Sequence, residues 1–421
     1  MREDYLHHLF QMRRLGNSFQ TTIGSVLEVQ KFGQLNPNAG PDFLESQIAL
    51  EGHTWAGSIE FHVKSSDWFL HGHQADNRYN NVIAHFVYEH DKEVEVNGIP
   101  LPTIELKSKI DWDHYRKFQF LAESQKSIPC AAQLPQVDSI YIADQKQKAL
   151  INRLMRKSDK FLNDLQVFKG DREKVFYLNL ARIFGGKVNA QAFEMLMEKL
   201  DLPALRKLRG NEFSIPSILF GMSGLLPAES ENRYVQKLIE EFRFQKHRLS
   251  LKPMDPKIFR FSRMHPPGFP TLRLAQFAEL LQVGIPIGDL TAGVLEYAEI
   301  WHQFDIRIPG FWNNHYRFER ETRKHATHLS DDFIDLIVIN LLVPYLFAIG
   351  RLTDDELLKE KSMSLLMETT PETNSIIRSW KKLGVASENA FETQALIEQK
   401  NEFCDAKRCL NCCIGHRVLS S

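Results

Sequence analysis

The chain has 421 residues, 52 basic against 53 acidic side chains, and five cysteines. That length suggests about two or three domains, each able to bury a core, and 43% apolar with 25% charged residues excludes a disordered or collagen-like chain. A net charge of −1 excludes a globally basic nucleic-acid binder while permitting a local basic surface, and so few cysteines exclude a disulfide scaffold.

The N-terminus, Met1-Arg2-Glu3-Asp4-Tyr5, is charged and has no apolar h-region, so no secretory signal is expected. Glu3–Arg14 sets Tyr5, Leu6, Leu9 and Phe10 at helical spacing. Apolar runs bounded by Gly, Asn and Pro follow at Val26–Phe32, Phe43–Leu50, Trp55–Val63 and Val82–Glu89, and they read as strands. Asn36–Pro41 is a loop by composition, Glu51-Gly52-His53 a hairpin turn, and His73–Asn81 a short helix. With an edge strand near Pro102–Leu106, the expected order is α-β-β-β-α-β. From Ile140 onward the spacing is helical, over Ile140–Phe168, Arg172–Phe184, Ala190–Leu200, Arg233–Phe244, Leu272–Leu281 and Asp332–Phe347. The greasy stretch Phe333–Ile349 contains Asp335, Asn340 and Pro344 and reads as a buried core helix, not a membrane span. The expectation is an α+β fold: an α+β domain over 1–125, a mostly α-helical domain over 135–421, and a soluble, cytoplasmic protein with no membrane contact.

The densest polar chemistry lies in the first domain. Asp42 opens a strand after a Gly-Pro turn, and alternation in the next strand puts Glu60, His62 and Lys64 on one face. If those strands pair, Asp42 and Glu60 meet across the sheet, and two carboxylates there need a positive partner. A hard divalent cation such as Mg²⁺ or Mn²⁺ satisfies them. Six of the sixteen histidines fall between His53 and His90, and His71 with His73, joined by His62 and a carboxylate such as Asp76, forms a rival transition-metal set. Turn chemistry at Gly-Pro-Asp and loop hydrogen bonds at the histidines are the plainer alternatives.

An αβββαβ order with Pro-Asp heading the second strand and Glu in the third resembles the PD-(D/E)xK, restriction-endonuclease-like nuclease superfamily. The resemblance implies Asp42 and Glu60 as metal ligands and a lysine that handles the attacking water. Here His62 stands in the lysine position, with Lys64 two residues on. Longer motifs cover nearly the whole chain: Asn36 to Phe43, Gly57 to Trp68, His71 to Asp76, Asn81 to His85, Pro270 to Ala275 and the final Cys-Leu-Asn-Cys-Cys-Ile-Gly. These resemble an uncharacterised bacterial family, domain of unknown function 2851, which implies no particular activity.

Four of the five cysteines lie in the last eighteen residues, as Cys404-x4-Cys409-x2-Cys412-Cys413, with His416 beyond them. Such spacing suits an iron–sulfur cluster or zinc. Cys130 is the natural fourth ligand, with Cys413, His416 and His114 as substitutes. The arrangement resembles nucleases that hold an iron–sulfur cluster with one distant and three C-terminal cysteines. Between Phe242 and Arg273, eight Lys/Arg against Asp255 alone are interleaved with phenylalanines. Arg243, Lys246, Arg248, Lys252, Arg260 and Arg263 are the candidate nucleic-acid contacts, and a solvated helix face is the alternative. No P-loop, dinucleotide fingerprint or nucleophile elbow is present. Three functional readings follow: a metal-dependent nuclease, a non-catalytic nucleic-acid-binding or scaffold protein on a degenerate nuclease fold, and a histidine/carboxylate metal hydrolase of another class.

Overall fold

The computed structural model describes residues 1–262, 264–293 and 295–420. They divide into two compact units: Met1–Gln145 together with residues 400–420, and Lys146–Gln399. The architecture is mixed α+β, with a sheet in the first unit and helices through the second.

In the first unit, α1 (Glu3–Gln11) buries Tyr5, Leu6, Leu9 and Phe10. The strands are β1 (Ser18–Gln20), β2 (Val26–Lys31), β3 (Gln34–Leu35), β4 (Phe43–Leu50), β5 (His53–Lys64), β6 (Val82–Glu89), a separate hairpin of β7 (Glu95–Val96) and β8 (Ile99–Pro100), and β9 (Thr103–Glu105). The main sheet runs β1-β2-β4-β5-β6-β9, with β3 beside β4. Glu51 and Gly52, both at positive φ (52° and 78°), form the two-residue turn from β4 into β5. The β5–β6 and β6–β9 pairs are parallel, so the chain between β5 and β6 must cross over the sheet. Phe10 packs on Phe43, Phe61 and Phe86 at 4.9–5.2 Å between ring centroids. Since alternate residues of a strand face opposite ways, α1 covers the face of Phe61, and the crossover covers the face of Glu60 and His62.

That crossover differs from the single short helix expected over His73–Asn81. It is α2 (Asp67–Leu70) followed by two 3₁₀ turns, His73–Ala75 and Asn77–Tyr79. Gly72 at φ 77° ends the helical path, and the Asp76 carboxylate accepts from the Arg78 N–H to cap the last turn. After β9, α3 (Trp112–Ala122) closes the N-terminal part. Residues 400–420 contribute a turn at Cys409–Asn411 and a helix, Cys413–Ser420.

The second unit contains α4 (Ser139–Val167) from Lys146 on, α5 (Arg172–Glu198), α6 (Leu202–Arg206), α7 (Ser214–Met222), α8 (Arg233–Arg248) and α9 (Pro270–Val283), with further helices to Glu398. The two helices expected over 172–200 run on as α5 with a break at Gly186 (φ 57°, ψ −161°). The apolar helix Asp331–Thr353 is mostly buried inside the protein, as a core helix is. It widens to a π turn at Val338–Leu342, which accommodates Pro344, a residue without an N–H that crowds the carbonyl one turn back. Trp312 is fully buried and stacks on Phe220, with Phe318 buried beside it.

The α7–α8 contact is tight at Gly221, where an added Cβ would overlap the Phe242 ring. Gly221→Ala is therefore expected to lower stability by about 1–3 kcal/mol, although Ala in a helix normally gains about 1 kcal/mol over Gly. Urea unfolding checks this, and adding Phe242→Leu should restore most of the loss.

Candidate functional site

The loop before β4 is built to present Asp42. Asn36 Nδ2 donates to the Pro41 carbonyl (3.0 Å), the Asn36 N–H donates to the Asp42 carbonyl (2.7 Å), and Gly40 sits at φ 116°. Beyond it β4 carries a bulge: Phe43 pairs with Ile59 but Ser46 with Gly57, and Glu45 takes φ 56°. The bulge lets Asp42 and Glu60 lock reciprocally. The Asp42 N–H donates to Glu60 Oε2 (3.0 Å), and the Phe61 N–H donates to Asp42 Oδ2 (2.9 Å). The expected approach of these two acids across the sheet is thus present in the geometry.

Two residues that the periodicity analysis passed over complete the acidic side. Glu3 and His7 lie one helical turn apart on α1, and with Asp42 they bring ligand atoms within 4.8 Å of one another. His7 Nε2 is 3.1 Å from Asp42 Oδ2. The available signal was a polar i, i+4 pair on a helix whose other side is mostly apolar.

On the opposite side of Glu60 stand the histidines. His73 Nε2 is 3.4 Å and His62 Nε2 is 3.8 Å from Glu60 Oε1. His62 Nε2 lies 3.2 Å from His71 Nδ1, and His62 Nδ1 lies 2.8 Å from His85 Nε2. His85 sits in register with Glu60 on the neighbouring parallel strand, and a histidine inside an otherwise apolar buried strand was its sequence signal. Tyr79 stacks on His73 at 3.8 Å and Trp68 meets it edge-on at 5.4 Å. Beside His73 opens a cavity of about 490 Å³ lined by Trp68, Phe69, Tyr79, Glu93, Glu95 and Asn97, among others. Lys64, predicted on the same face, is exposed where β5 ends, and its N–H donates to Asp67 Oδ2 (2.8 Å). Asp76 pairs with Arg78 at 2.5 Å.

The electrostatics describe a buried acid short of positive charge. Burial pushes the Glu60 carboxyl up to about 9, and the Asp42 charge adds to the effect. Burial also raises the Glu3 carboxyl, again helped by Asp42. Burial alone would lower His7, but the Asp42 carboxylate 3.1 Å away and the other carboxylates around it raise it instead. His62 falls to about 2 and His85 to about 3, each through burial and then through neighbouring imidazoles, so both rings are neutral at pH 7. A cation placed among these donors would relieve the raised acid and meet the neutral imidazoles in the form that binds metals.

The cysteines form a separate group. Cys130, Cys404, Cys409 and Cys412 are buried and Cys413 is partly exposed, all in the first unit and none in a disulfide. Burial pushes the Cys130 thiol up to about 12, with Cys412 and Cys409 adding to it, and the Cys409 thiol up to about 11, with Cys412 adding. Gly415 allows its helix to seat on the Cys409 backbone, which a Cβ would strike. Of the substitute ligands, Cys413 offers its N–H to Gln145 (2.8 Å), His114 Nδ1 is 2.7 Å from the Tyr5 hydroxyl, and His416 lies against the Leu410 carbonyl.

In the second unit Arg243, Lys246, Arg248, Lys252 and Arg260 are exposed, while Arg263 lies outside the described residues. Of the interleaved phenylalanines, Phe259 is core, and Phe261 and Phe269 pack under the Arg317 guanidinium at 4.0 and 4.9 Å. Phe244 is exposed.

No curated protein and no solved structure matches the chain. The family described as a protein of unknown function (DUF2851) matches residues 3–375, a span that includes every residue of the carboxylate–histidine site and ends before the cysteine tail. The chain belongs to that family.

Proposed function

We propose that the chain is a Mg²⁺- or Mn²⁺-dependent phosphodiester hydrolase acting on nucleic acid, with a PD-(D/E)xK-type core in its first unit. The observation that carries this reading is the reciprocal lock of Asp42 and Glu60, with Glu3 and His7 brought to it by α1. A helix, antiparallel strands, a crossover and a parallel strand accord with the same core. Each acid has one oxygen held by a backbone N–H, which leaves Asp42 Oδ1 and Glu60 Oε1 to face a ligand. A hard divalent ion bound there would polarise the phosphoryl group and acidify water. His7 orients Asp42 and holds a proton at Nε2 beside it. His62 is unsuited to proton handling, since each of its nitrogens faces another imidazole, His85 or His71, and its side chain is 1% exposed.

The exposed cations of the second unit are assigned salt-dependent affinity for phosphates, and the buried cysteines a structural iron–sulfur cluster or zinc. Brown protein identifies the first, and colourless protein with stoichiometric zinc the second. The functional test is cleavage of labelled DNA and RNA with Mg²⁺ or Mn²⁺, expected in the native chain and absent in folded Asp42→Asn. Salt-sensitive binding with no cleavage would identify a scaffold instead. Cleavage that survives Asp42→Asn would remove the site from the chemistry.

A further inference from the structure

We infer that His62, His71 and His73 form a second metal site beside the hard-ion site at Asp42, which takes a borderline transition ion of the zinc class and shares Glu60 Oε1 with the hard-ion site as a bridging fourth donor. This goes beyond the hydrolase reading and does not require cleavage.

The three imidazoles bring one nitrogen each within 4.8 Å of the others. In a tetrahedral site with metal–nitrogen bonds of about 2.0–2.1 Å, neighbouring donors are separated by about 3.3 Å. The separations here are 3.2 Å for His62 Nε2 to His71 Nδ1, 3.4 Å for His73 Nε2 to Glu60 Oε1 and 3.8 Å for His62 Nε2 to Glu60 Oε1. These edges are already close to that figure.

Proton placement accommodates the same answer. A single hydrogen lies between His62 Nδ1 and His85 Nε2. If His62 Nδ1 donates it, the Nε2 lone pair points at His71 Nδ1. His71 is exposed and can keep its own proton on Nε2 toward water, so its Nδ1 lone pair is free as well. His73 Nε2 is buried with no hydrogen-bond partner. Three lone pairs and a carboxylate oxygen then converge on one point, a donor set matched to imidazole-preferring ions and not to Mg²⁺. His85 acts as the positioning residue that fixes the His62 tautomer, as partners of metal-binding histidines do. Tyr79 and Trp68 hold the His73 ring from two sides. The exposure of His71 provides a way in for the ion.

The test uses the full chain, stripped with chelator and titrated with Co²⁺ and then with Zn²⁺ in competition. The native chain is expected to show visible ligand-field absorption of tetrahedral cobalt that one equivalent of Zn²⁺ removes. His71→Ala and His73→Ala should weaken binding about tenfold to hundredfold or more, and Asp42→Asn should leave it in place. Cobalt at the cysteines is told apart by thiolate-to-metal charge transfer, which His71→Ala should not alter. Since His71 is exposed, its variant keeps the fold, and Zn²⁺ should raise the melting temperature of the native chain but not of His71→Ala. Absence of the ligand-field band in the native chain, or unchanged binding in both histidine variants, overturns the site. Cleavage lost in Asp42→Asn with cobalt binding intact would separate this site from the hydrolase reading.

Discussion

Glu60→Gln is expected to abolish metal-dependent cleavage, by about 10³-fold or more, while making the metal-free protein more stable. The two effects share a cause. In the absence of a cation the Glu60 carboxyl is held up at about 9, first by burial and then by Asp42. Its folded pKa exceeds the unfolded value near 4.5, so the folded state retains a proton that the unfolded state has released. Stability is therefore fully present below pH 4.5 and is lost as pH rises toward 9. A glutamine keeps an acceptor for the Asp42 N–H and carries no charge to bury, so the penalty disappears. The gain is on the order of a few kcal/mol at pH 8, discounted for relaxation of a coupled pair. Urea unfolding in chelator at pH 8 checks the stability, and a cleavage assay checks the activity. A variant that loses both would assign Glu60 to the structure instead of the chemistry.

Acid should unfold the first unit cooperatively and early. His62, His85 and His8 are held at about 2, about 3 and about 3, in each case by burial first and then by neighbouring histidines. Their folded values lie below the unfolded value near 6.5, so on acidification the unfolded chain takes up protons first. Stability is fully present above pH 6.5 and declines below it, by about 1.4 kcal/mol per pH unit for each histidine. At pH 5 the loss is about 2 kcal/mol for each, or about 6 kcal/mol for three, comparable with the whole stability of an ordinary domain. Glu60 opposes this with one proton against three, which places the metal-free optimum near pH 6.5. All five cysteines belong to this unit, so thiol labelling with a dipyridyl disulfide after a urea step reads its unfolding separately from the helical unit. Equal stability at pH 5 and 6.5 would show that these rings are protonated without cost.

The strands were legible because β4, β5 and β6 carry continuous or alternating apolar residues between Gly, Asn and Pro, and their limits lie within two residues of those runs. The pairing of Asp42 with Glu60 was legible for the same reason. What periodicity could not supply was the bulge at Glu45 and the crossover path, since both depend on left-handed residues whose effect is three-dimensional. His71 and His73 were expected in one metal-binding set with His62. They converge because Gly72 turns between the end of α2 and a 3₁₀ turn, a path that composition does not show. Lys64 fits the alternation of Glu60 and His62, but the strand ends there and its side chain reaches water. Glu3 and His7 went unread because helical spacing was used to find the apolar side of α1, and the site occupies another.

The second unit is inserted within the first along the chain, between Gln145 and Lys400. During synthesis, the sheet with its acids and histidines emerges early, while the segment carrying Cys404, Cys409 and Cys412 emerges only after every residue of the helical unit. Of the two units, the one begun first is thus completed last. Throughout that interval Cys130 waits without its C-terminal companions, so any metal the four cysteines share can be loaded only after translation has passed residue 412.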